Sequence, residues 1–391
     1  MSGQRTAGSL RIKNLLPQFR SKPALPLKPP TIRHLQTIDP LARTLDATPL
    51  QLVAERLVDL EVTQVDATGP IETLTMSEAR DLASLIEGDL IASRYQVERM
   101  LGRGGIGKVY LCTDLKTNAQ VTVKTSLLPE LEKHITAESD TYRALGRGRK
   151  NIVDCLATGE NMIVLEFVQG EALTDFIINR PMTSVESIFQ DHVIAALGII
   201  SDVFRGLEYA HDRGVVHADL SPDNILLTRG ERGKKEVTII DWGLGRAYPD
   251  REPGMMMGKP MYASPEQLRG EDIDLQTDIF QAGLVLNEML TGRRPFRESS
   301  ILVLIRRRLS GEAFETAGWT KSFAPLNRDL TLTIQNLILR MTGERRSEEE
   351  PGNGLVRFQS ALEARLAVEK ILAEIRPVAS PLPPPNISPL D

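Results

Sequence analysis

Cysteine is scarce in this sequence. Only Cys112 and Cys155 occur among 391 residues, and neither stands in a Cys-x-x-Cys or a Cys/His spacing. Isolated cysteines without metal-binding spacing indicate buried core thiols rather than a disulfide framework or a zinc site. Unpaired thiols are typical of a reducing compartment, so we expect a cytoplasmic protein.

Long apolar runs and an excess of basic residues are also missing. No apolar stretch approaches the roughly 18 residues that cross a bilayer, so no membrane span is predicted. The formal net charge of −5 gives no indication of specific nucleic-acid binding. The apolar fraction of 41% and the charged fraction of 25% are those of an ordinary globular protein.

Charge and proline content divide the two ends of the chain from its middle. Residues 1–38 carry seven Lys or Arg, no acid and several prolines, which predicts a basic disordered tail. An arm that binds an anionic partner and an organelle presequence are the alternatives. Residues 39–92 carry eleven acids and three arginines, and apolar helical spacing predicts an acidic, partly helical extension with its second helix at 75–86. Residues 374–391 are rich in proline, which predicts a disordered tail that stays solvated or binds a partner module.

A glycine-rich segment follows the extension. Its glycines have the spacing GxGxxG, which alone is a weak signal shared by several nucleotide-binding folds. Strand-forming residues follow it, whereas a dinucleotide-binding loop would lead into a helix, and Val109 stands where a Walker loop needs a hydroxyl. The segment therefore predicts two strands joined by a loop that approaches phosphates through its backbone. The nucleotide-contacting residues expected here are Gly102, Arg103, Gly104, Gly105, Ile106, Gly107 and Val109.

Lys124 ends an alternating apolar strand, Val121-Thr-Val-Lys124. Such a lysine would ordinarily face solvent. Glu138 lies on the next predicted helix, and a carboxylate there could pair with the ammonium. We therefore predict a Lys124–Glu138 ion pair that positions the ammonium against nucleotide phosphates.

Two further motifs complete a recognisable set. They are His217-Ala-Asp219-Leu-Ser-Pro-Asp-Asn224 and the strand that ends in Asp241-Trp-Gly. Together with the glycine loop and Lys124, these motifs resemble those of the protein-kinase family, in particular its bacterial Ser/Thr members. The resemblance implies that Asp219 accepts the proton of the acceptor hydroxyl and that Asn224 and Asp241 bind Mg²⁺, with Mn²⁺ as an alternative.

The resemblance also implies the fold and the adenine site. Residues 93–373 would form an α+β, bilobal protein-kinase-like domain. Its small antiparallel β-rich N-lobe would span 93–168, and its larger, mainly helical C-lobe would span 169–373. Glu166 and Val168, between the lobes, would bind the adenine of ATP through their backbone, and Leu165 would gate the pocket behind it. Glu266 would form a buried ion pair with the late Arg357.

The sequence departs from the family pattern at several positions. Ala218 replaces the family's arginine, and no Ser or Thr lies between Asp241 and Ser264. We therefore expect activity that does not need Ser/Thr phosphorylation of this loop. Ser221 replaces a catalytic-loop lysine, and Lys259 stands where the family commonly has threonine, so we predict that the Lys259 ammonium takes over the catalytic contact. The alternative is that Lys259 points to solvent and catalysis is weakened.

These observations predict a signalling enzyme that transfers the γ-phosphate of ATP to Ser or Thr hydroxyls of protein substrates. One alternative is a pseudokinase scaffold that binds ATP, which the changes at Ala218 and Ser221 favour. A second is a small-molecule phosphotransferase, which shares the catalytic motifs but generally lacks the glycine loop and the Glu266–Arg357 elements.

Overall fold

The computed structural model describes only part of the chain. The described residues lie within a compact unit that spans residues 47–391. They are 70–74, 85–104, 107–126, 132–179, 185–230, 235–244, 258–294, 303, 319, 323–343, 345 and 356–375. The predicted tail 1–38, the first helix of the extension and nearly all of the proline-rich tail fall outside them.

A seven-stranded sheet forms the first lobe. Its strands follow the order β1-β6-β7-β5-β4-β3-β2, and every neighbouring pair is antiparallel except β1 with β6. The strands are β1 Glu72–Thr73, β2 Leu90–Ile91, β3 Tyr95–Arg103, β4 Gly107–Asp114, β5 Ala119–Ser126, β6 Cys155–Gly159 and β7 Met162–Glu166. The glycine loop thus joins two antiparallel strands, as predicted.

The alternation of side chains along β5 separates the core of this lobe from its cleft. Val121 and Val123 are fully buried in an apolar cluster on one side of the sheet. Thr122 and Lys124 point to the other side because successive side chains of a strand face opposite ways. The helix α1, Glu132–Leu145, packs on this second side and carries Glu138.

Two strands of the sheet come from the acidic extension. In β1, Glu72 aligns with Ala157 of β6, and the amide of Leu74 donates to the carbonyl of Thr158 at 2.8 Å. Arg94 bonds Glu72 and Asp114, each at 2.7 Å. The predicted helix at 75–86 lies mostly outside the described residues, and its described end, residues 85–86, is not helical.

The second lobe is mainly helical and contains a small antiparallel sheet, ordered β10-β9-β8. Its elements are β8 Glu171–Ala172, α2 Leu173–Ile178, α3 Glu186–His211, β9 Ile225–Arg229, β10 Lys235–Ile239, α4 Pro265–Arg269, α5 Leu275–Thr291, α6 Arg328–Met341 and α7 Ala361–Ile375. The helix α5 is buried on every side, as expected for a central helix of a large core.

Candidate active site

A cleft of about 530 Å³ lies between the seven-stranded sheet and the helical lobe. This volume is typical of a site for a small molecule such as a nucleotide. Eleven of the predicted site residues line it: Gly104, Gly107, Val109, Lys124, Glu138, Glu166, Val168, Asp219, Asn224, Asp241 and Lys259. Gly102 and Arg103 are not among the lining residues, and Gly105 and Ile106 fall outside the described residues.

The predicted ion pair of Lys124 is present. Lys124 Nζ lies 2.7 Å from Glu138 Oε2 and 2.9 Å from Oε1. The same ammonium donates to Asp241 Oδ1 at 2.8 Å. One cation therefore joins a strand, a helix and the Asp-x-Gly segment at the inner end of the cleft.

The charges of this cluster perturb one another. Burial alone would lower the pKa of Lys124, but the carboxylates of Asp241 and Glu138 outweigh it and hold that pKa above its usual range. The ammonium in turn lowers the pKa of Asp241. Burial raises the pKa of Glu138 in spite of the ammonium. Lys124 and Asp241 thus keep their charges throughout the neutral range.

Asp219 is held by donors on both sides of its carboxylate. The backbone N–H of Lys259 donates to Oδ1 at 2.9 Å, and Asn224 Nδ2 donates to Oδ2 at 3.2 Å. Asn224 also donates to the carbonyl of Asp219 at 2.8 Å. Burial raises the pKa of Asp219, against the opposing charge of Lys259, which suits a carboxylate that takes up a proton.

The backbone of the loop before Asp219 is strained and clamped. Ala218 has a φ of 64°, a left-handed value that costs free energy for a residue with a Cβ. Asp278 accepts the N–H of Ala218 and that of His217, each at 2.8 Å. The carbonyl of Ala218 accepts from Gln267 at 2.8 Å and from Gln281 at 3.0 Å. Sequence reasoning missed both glutamines, although their positions near Glu266 and Asp278 offered a signal.

The Asp-x-Gly segment is set by its neighbours. Trp242 is fully buried, and its ring packs 4.7 Å from that of His217 in an edge-on arrangement. Asp241 adopts a φ of 62°. A Cβ on Gly243 would lie 2.8 Å from Glu138 Oε2, so only glycine lets the ion pair and this segment approach so closely.

A close approach also explains Gly107 of the glycine loop. A Cβ at this position would lie only 2.3 Å from the carbonyl oxygen of Thr125 on the neighbouring strand. The N–H of Gly104 donates to the carbonyl of Gly107 at 2.8 Å, which closes the turn. Strand packing therefore requires glycine at residue 107 independently of any ligand.

One part of the cleft lining is apolar. Leu101, Val109, Leu165 and Leu226 line it. The carboxylate of Glu166 turns away from it and accepts the N–H of Asp154 at 2.9 Å. The backbone N–H of Glu166 also bonds Asp154, donating to its carbonyl at 2.9 Å. The role predicted for Glu166 in adenine binding therefore falls to its backbone carbonyl.

The cleft has oxygen ligands for a divalent cation. Asn224 makes its hydrogen bonds through Nδ2, and no other described residue bonds its amide oxygen. Asp241 uses Oδ1 for Lys124, which leaves Oδ2 as a second oxygen ligand. Amide and carboxylate oxygens are ligands that Mg²⁺ accepts, and Mg²⁺ usually completes its shell with water and phosphate.

The second predicted ion pair is present and lies outside the cleft. Arg357 donates to Glu266 Oε1 at 2.7 Å, and the two side chains are 1% and 0% exposed. Arg357 also donates to the carbonyls of Gln276 and Gly343, each at 3.0 Å. This pair joins α4, which carries Glu266, to the segment just before α7, which carries Arg357.

Comparison with known proteins identifies the fold and the family. The solved kinase domain of PknI from Mycobacterium tuberculosis aligns over its whole length and over 74% of this chain, with a TM-score of 0.51 and 20% identity. The predicted α+β, bilobal fold is therefore confirmed. The family model of the protein kinase domain matches residues 95–348, more than half of the chain, so the chain belongs to the protein kinase family.

Curated relatives indicate the branch of the family. Serine/threonine-protein kinase Pkn1 of Myxococcus xanthus is 28% identical over 286 residues, which are 70% of this chain and 38% of that protein. Serine/threonine-protein kinase PrkC of Bacillus subtilis is 29% identical over 273 residues, which are 66% of this chain and 39% of that protein. The predicted likeness to bacterial Ser/Thr kinases is confirmed, while the chain spans less than two fifths of either relative.

The cysteines and the lengths of the helices can be compared with the sequence predictions. Both cysteines are buried free thiols, as predicted. Across the residues that the structure describes, every helix is too short or too polar to traverse a membrane. Residues 245–257 of the loop between Asp241 and Ser264 lie outside the described residues.

Proposed function

We propose that this protein is an ATP-dependent kinase that transfers the γ-phosphate to Ser or Thr hydroxyls of protein substrates in a signalling role. One observation carries the proposal: Lys124, Asp219, Asn224 and Asp241 meet in a single cleft, although they are far apart in the sequence. A kinase needs a phosphate-binding cation, a proton acceptor and oxygen ligands for a metal. These side chains supply the matching chemical groups, which are an ammonium, two carboxylates and an amide oxygen.

Each residue has a distinct task in this proposal. The backbone of Glu166 and Val168 binds adenine, and Gly104, Gly107 and Val109 cover the nucleotide. Lys124, oriented by Glu138, binds the phosphates. Asp219 accepts the proton of the attacking hydroxyl. Asn224 and Asp241 would hold Mg²⁺ or Mn²⁺, which supplies charge neutralisation between the phosphates when bound.

The experiment is transfer of radiolabel from ATP to a generic protein acceptor. Asp219→Asn keeps the size and the hydrogen-bond acceptor of the side chain but removes its basicity, so transfer should fall about 10²- to 10⁴-fold. Asp212→Asn, an exposed position at the end of α3, is the matched control and should retain full activity. Binding of ATP without any transfer by the wild type would instead support a scaffold, and transfer only to small acceptors would support a small-molecule phosphotransferase.

We further propose that Ser/Thr phosphorylation of the loop after Asp241 is not needed. Ala218 is fully buried and its backbone is engaged by Asp278, Gln267 and Gln281. Its methyl group offers no donor to a phosphate, whereas the clamp already holds the strained loop. Treatment with a Ser/Thr phosphatase should leave the transfer rate unchanged, and a tenfold loss would contradict this proposal.

The proposal also covers the compartment and the proline-rich tail. The buried free thiols support a reducing, cytoplasmic compartment. The proline-rich tail 374–391 would offer a partner module an extended ligand. Cell fractionation tests the compartment. A pull-down that compares the wild-type tail with a variant whose prolines are replaced tests the tail.

A further inference from the structure

Lys259 is an ammonium group held at the edge of the cleft by the catalytic loop. Its Nζ donates to Ser221 Oγ at 2.7 Å and to Asp223 Oδ2 at 2.9 Å. Its side chain is 29% exposed. This lysine therefore faces the cleft and the loop, and is not a freely solvated surface residue.

The backbone of the same residue is fixed beside Asp219. The N–H of Lys259 donates to Asp219 Oδ1 at 2.9 Å. Gly258 precedes it with a φ of 90°, and a Cβ there would lie 3.0 Å from the same carboxylate oxygen. The backbone of Lys259 is thus fixed next to the proposed proton acceptor, while its ammonium is held by Ser221 and Asp223.

The charges in the cleft indicate what the Lys259 ammonium can stabilise. Lys124 and Lys259 are the lysines among the described residues that line it. Lys124 is already shared by Glu138 and Asp241 at the inner end. A phosphoryl group that moves towards Asp219 carries negative charge close to another carboxylate, which a cation on that side would stabilise.

We propose that Lys259 is a catalytic residue that stabilises the transferred phosphoryl group, with Asp223 holding its ammonium between turnovers. This inference rests on the proposed kinase activity. In the step, the bond from the γ-phosphorus to the bridging oxygen of ADP breaks and a bond to the acceptor oxygen forms. The acceptor's proton passes to Asp219, and Lys259 keeps its own proton while it moves from Asp223 to the phosphoryl oxygens.

The test exchanges the two contacting side chains. Lys259→Thr should lower kcat about 10²- to 10³-fold, with the KM for ATP nearly unchanged because Lys124 binds the nucleotide. Ser221→Lys added to Lys259→Thr returns an ammonium to the same space and should recover at least tenfold. Lys116→Thr, at a lysine 66% exposed, is the matched control and should behave as wild type.

The outcomes separate the two proposals. Wild-type transfer with Lys259→Thr within threefold of the wild-type kcat would overturn this inference alone. A folded double variant that is no more active than Lys259→Thr would also overturn it, because an ammonium returned to the same space would then not assist transfer. Absence of wild-type transfer would overturn the kinase proposal, and this inference with it. Thermal unfolding of each variant identifies any loss that comes from the fold.

Discussion

Each lobe of this protein contains a buried glutamate paired with a basic side chain, and the two pairs are built differently. In the first lobe, Glu138 meets Lys124, whose ammonium also reaches Asp241 and is 15% exposed towards the cleft. In the second lobe, Glu266 meets Arg357, and both are shut away from solvent. Arg357 bonds one carboxylate and two backbone carbonyls, whereas Lys124 shares one charge between two carboxylates.

The difference teaches how one kind of contact serves two purposes. Arginine presents a rigid fork that can satisfy a carboxylate and backbone carbonyls at once, which suits a permanent structural joint. Lysine is a compact point charge on a flexible stem, which can exchange partners when phosphates arrive. We therefore expect the Glu266–Arg357 pair to act on stability and the Lys124–Glu138 pair to act on catalysis.

The largest expected effect is on the structural pair. Arg357→Met removes the guanidinium and leaves Glu266 buried and uncompensated, which should lower the free energy of unfolding by about 3–5 kcal/mol. Urea unfolding followed by far-ultraviolet circular dichroism measures the change. A loss below about 1 kcal/mol, the value of an exposed pair, would contradict the structural role.

The next effect concerns the pair in the cleft. Lys124→Met should lower kcat/KM for ATP about 10²- to 10³-fold because the phosphates lose their cation. Stability should change less than in Arg357→Met, since the raised pKa of Glu138 lets this carboxyl take up a proton. Lys116→Met is the control for the substitution, and the comparison fails if Lys124→Met unfolds the protein while Arg357→Met does not.

A pH titration sharpens the comparison without mutation. Burial raises the pKa of Asp219 and of Glu138, so these carboxyls take up protons early as the pH falls. Burial alone would raise the pKa of Glu266 also, but the charge of Arg357 lowers it below its ordinary value of 4.5. The stability that Glu266 contributes is therefore present above pH 4.5 and is lost only as the pH falls through its lowered pKa.

Activity should consequently disappear at a higher pH than the fold does. Phosphoryl transfer and circular dichroism, recorded on the same samples as the pH is lowered from neutrality, measure the two losses. If both losses coincide, then the two pairs do not differ in the way proposed.

The smallest effect is expected at an exposed pair. Arg269 and Glu271 lie 2.6 Å apart with side chains 45% and 48% exposed. Arg269→Ala should change the free energy of unfolding by only about 0–1 kcal/mol and leave transfer intact, since solvent screens such pairs. A loss comparable to that of Arg357→Met would show that burial is not what separates these arginines.

Much of the cleft could be predicted from motif spacing. The Lys124–Glu138 and Glu266–Arg357 pairs were both expected, although the second joins residues far apart in the chain. Lys124, Asp219, Asn224 and Asp241 could be predicted to share the cleft because each stands in a short motif with little freedom of spacing. Gly102 and Arg103 belong to β3 and are not among the residues that line the cleft, so their contact with the nucleotide stays a prediction.

The extension shows the opposite case. Its composition predicts acidic helices, yet residues 72–73 and 90–91 add edge strands to the sheet. Strands of two residues carry too few side chains for any alternation to be visible. Their pairing depends on the edges that β6 and β3 offer.

The sequence by itself determined the family, the two-lobed fold and the ionisable residues of the cleft, because these residue types at these intervals serve one chemistry. The tertiary structure alone decided how the strained backbone at Ala218 is supported. Gln267 and Gln281 reach the carbonyl of Ala218 from two different helices. It also decided that Lys259 meets Ser221 and Asp223. Such contacts join single polar side chains that no periodicity marks, so only the packing of the elements brings them together.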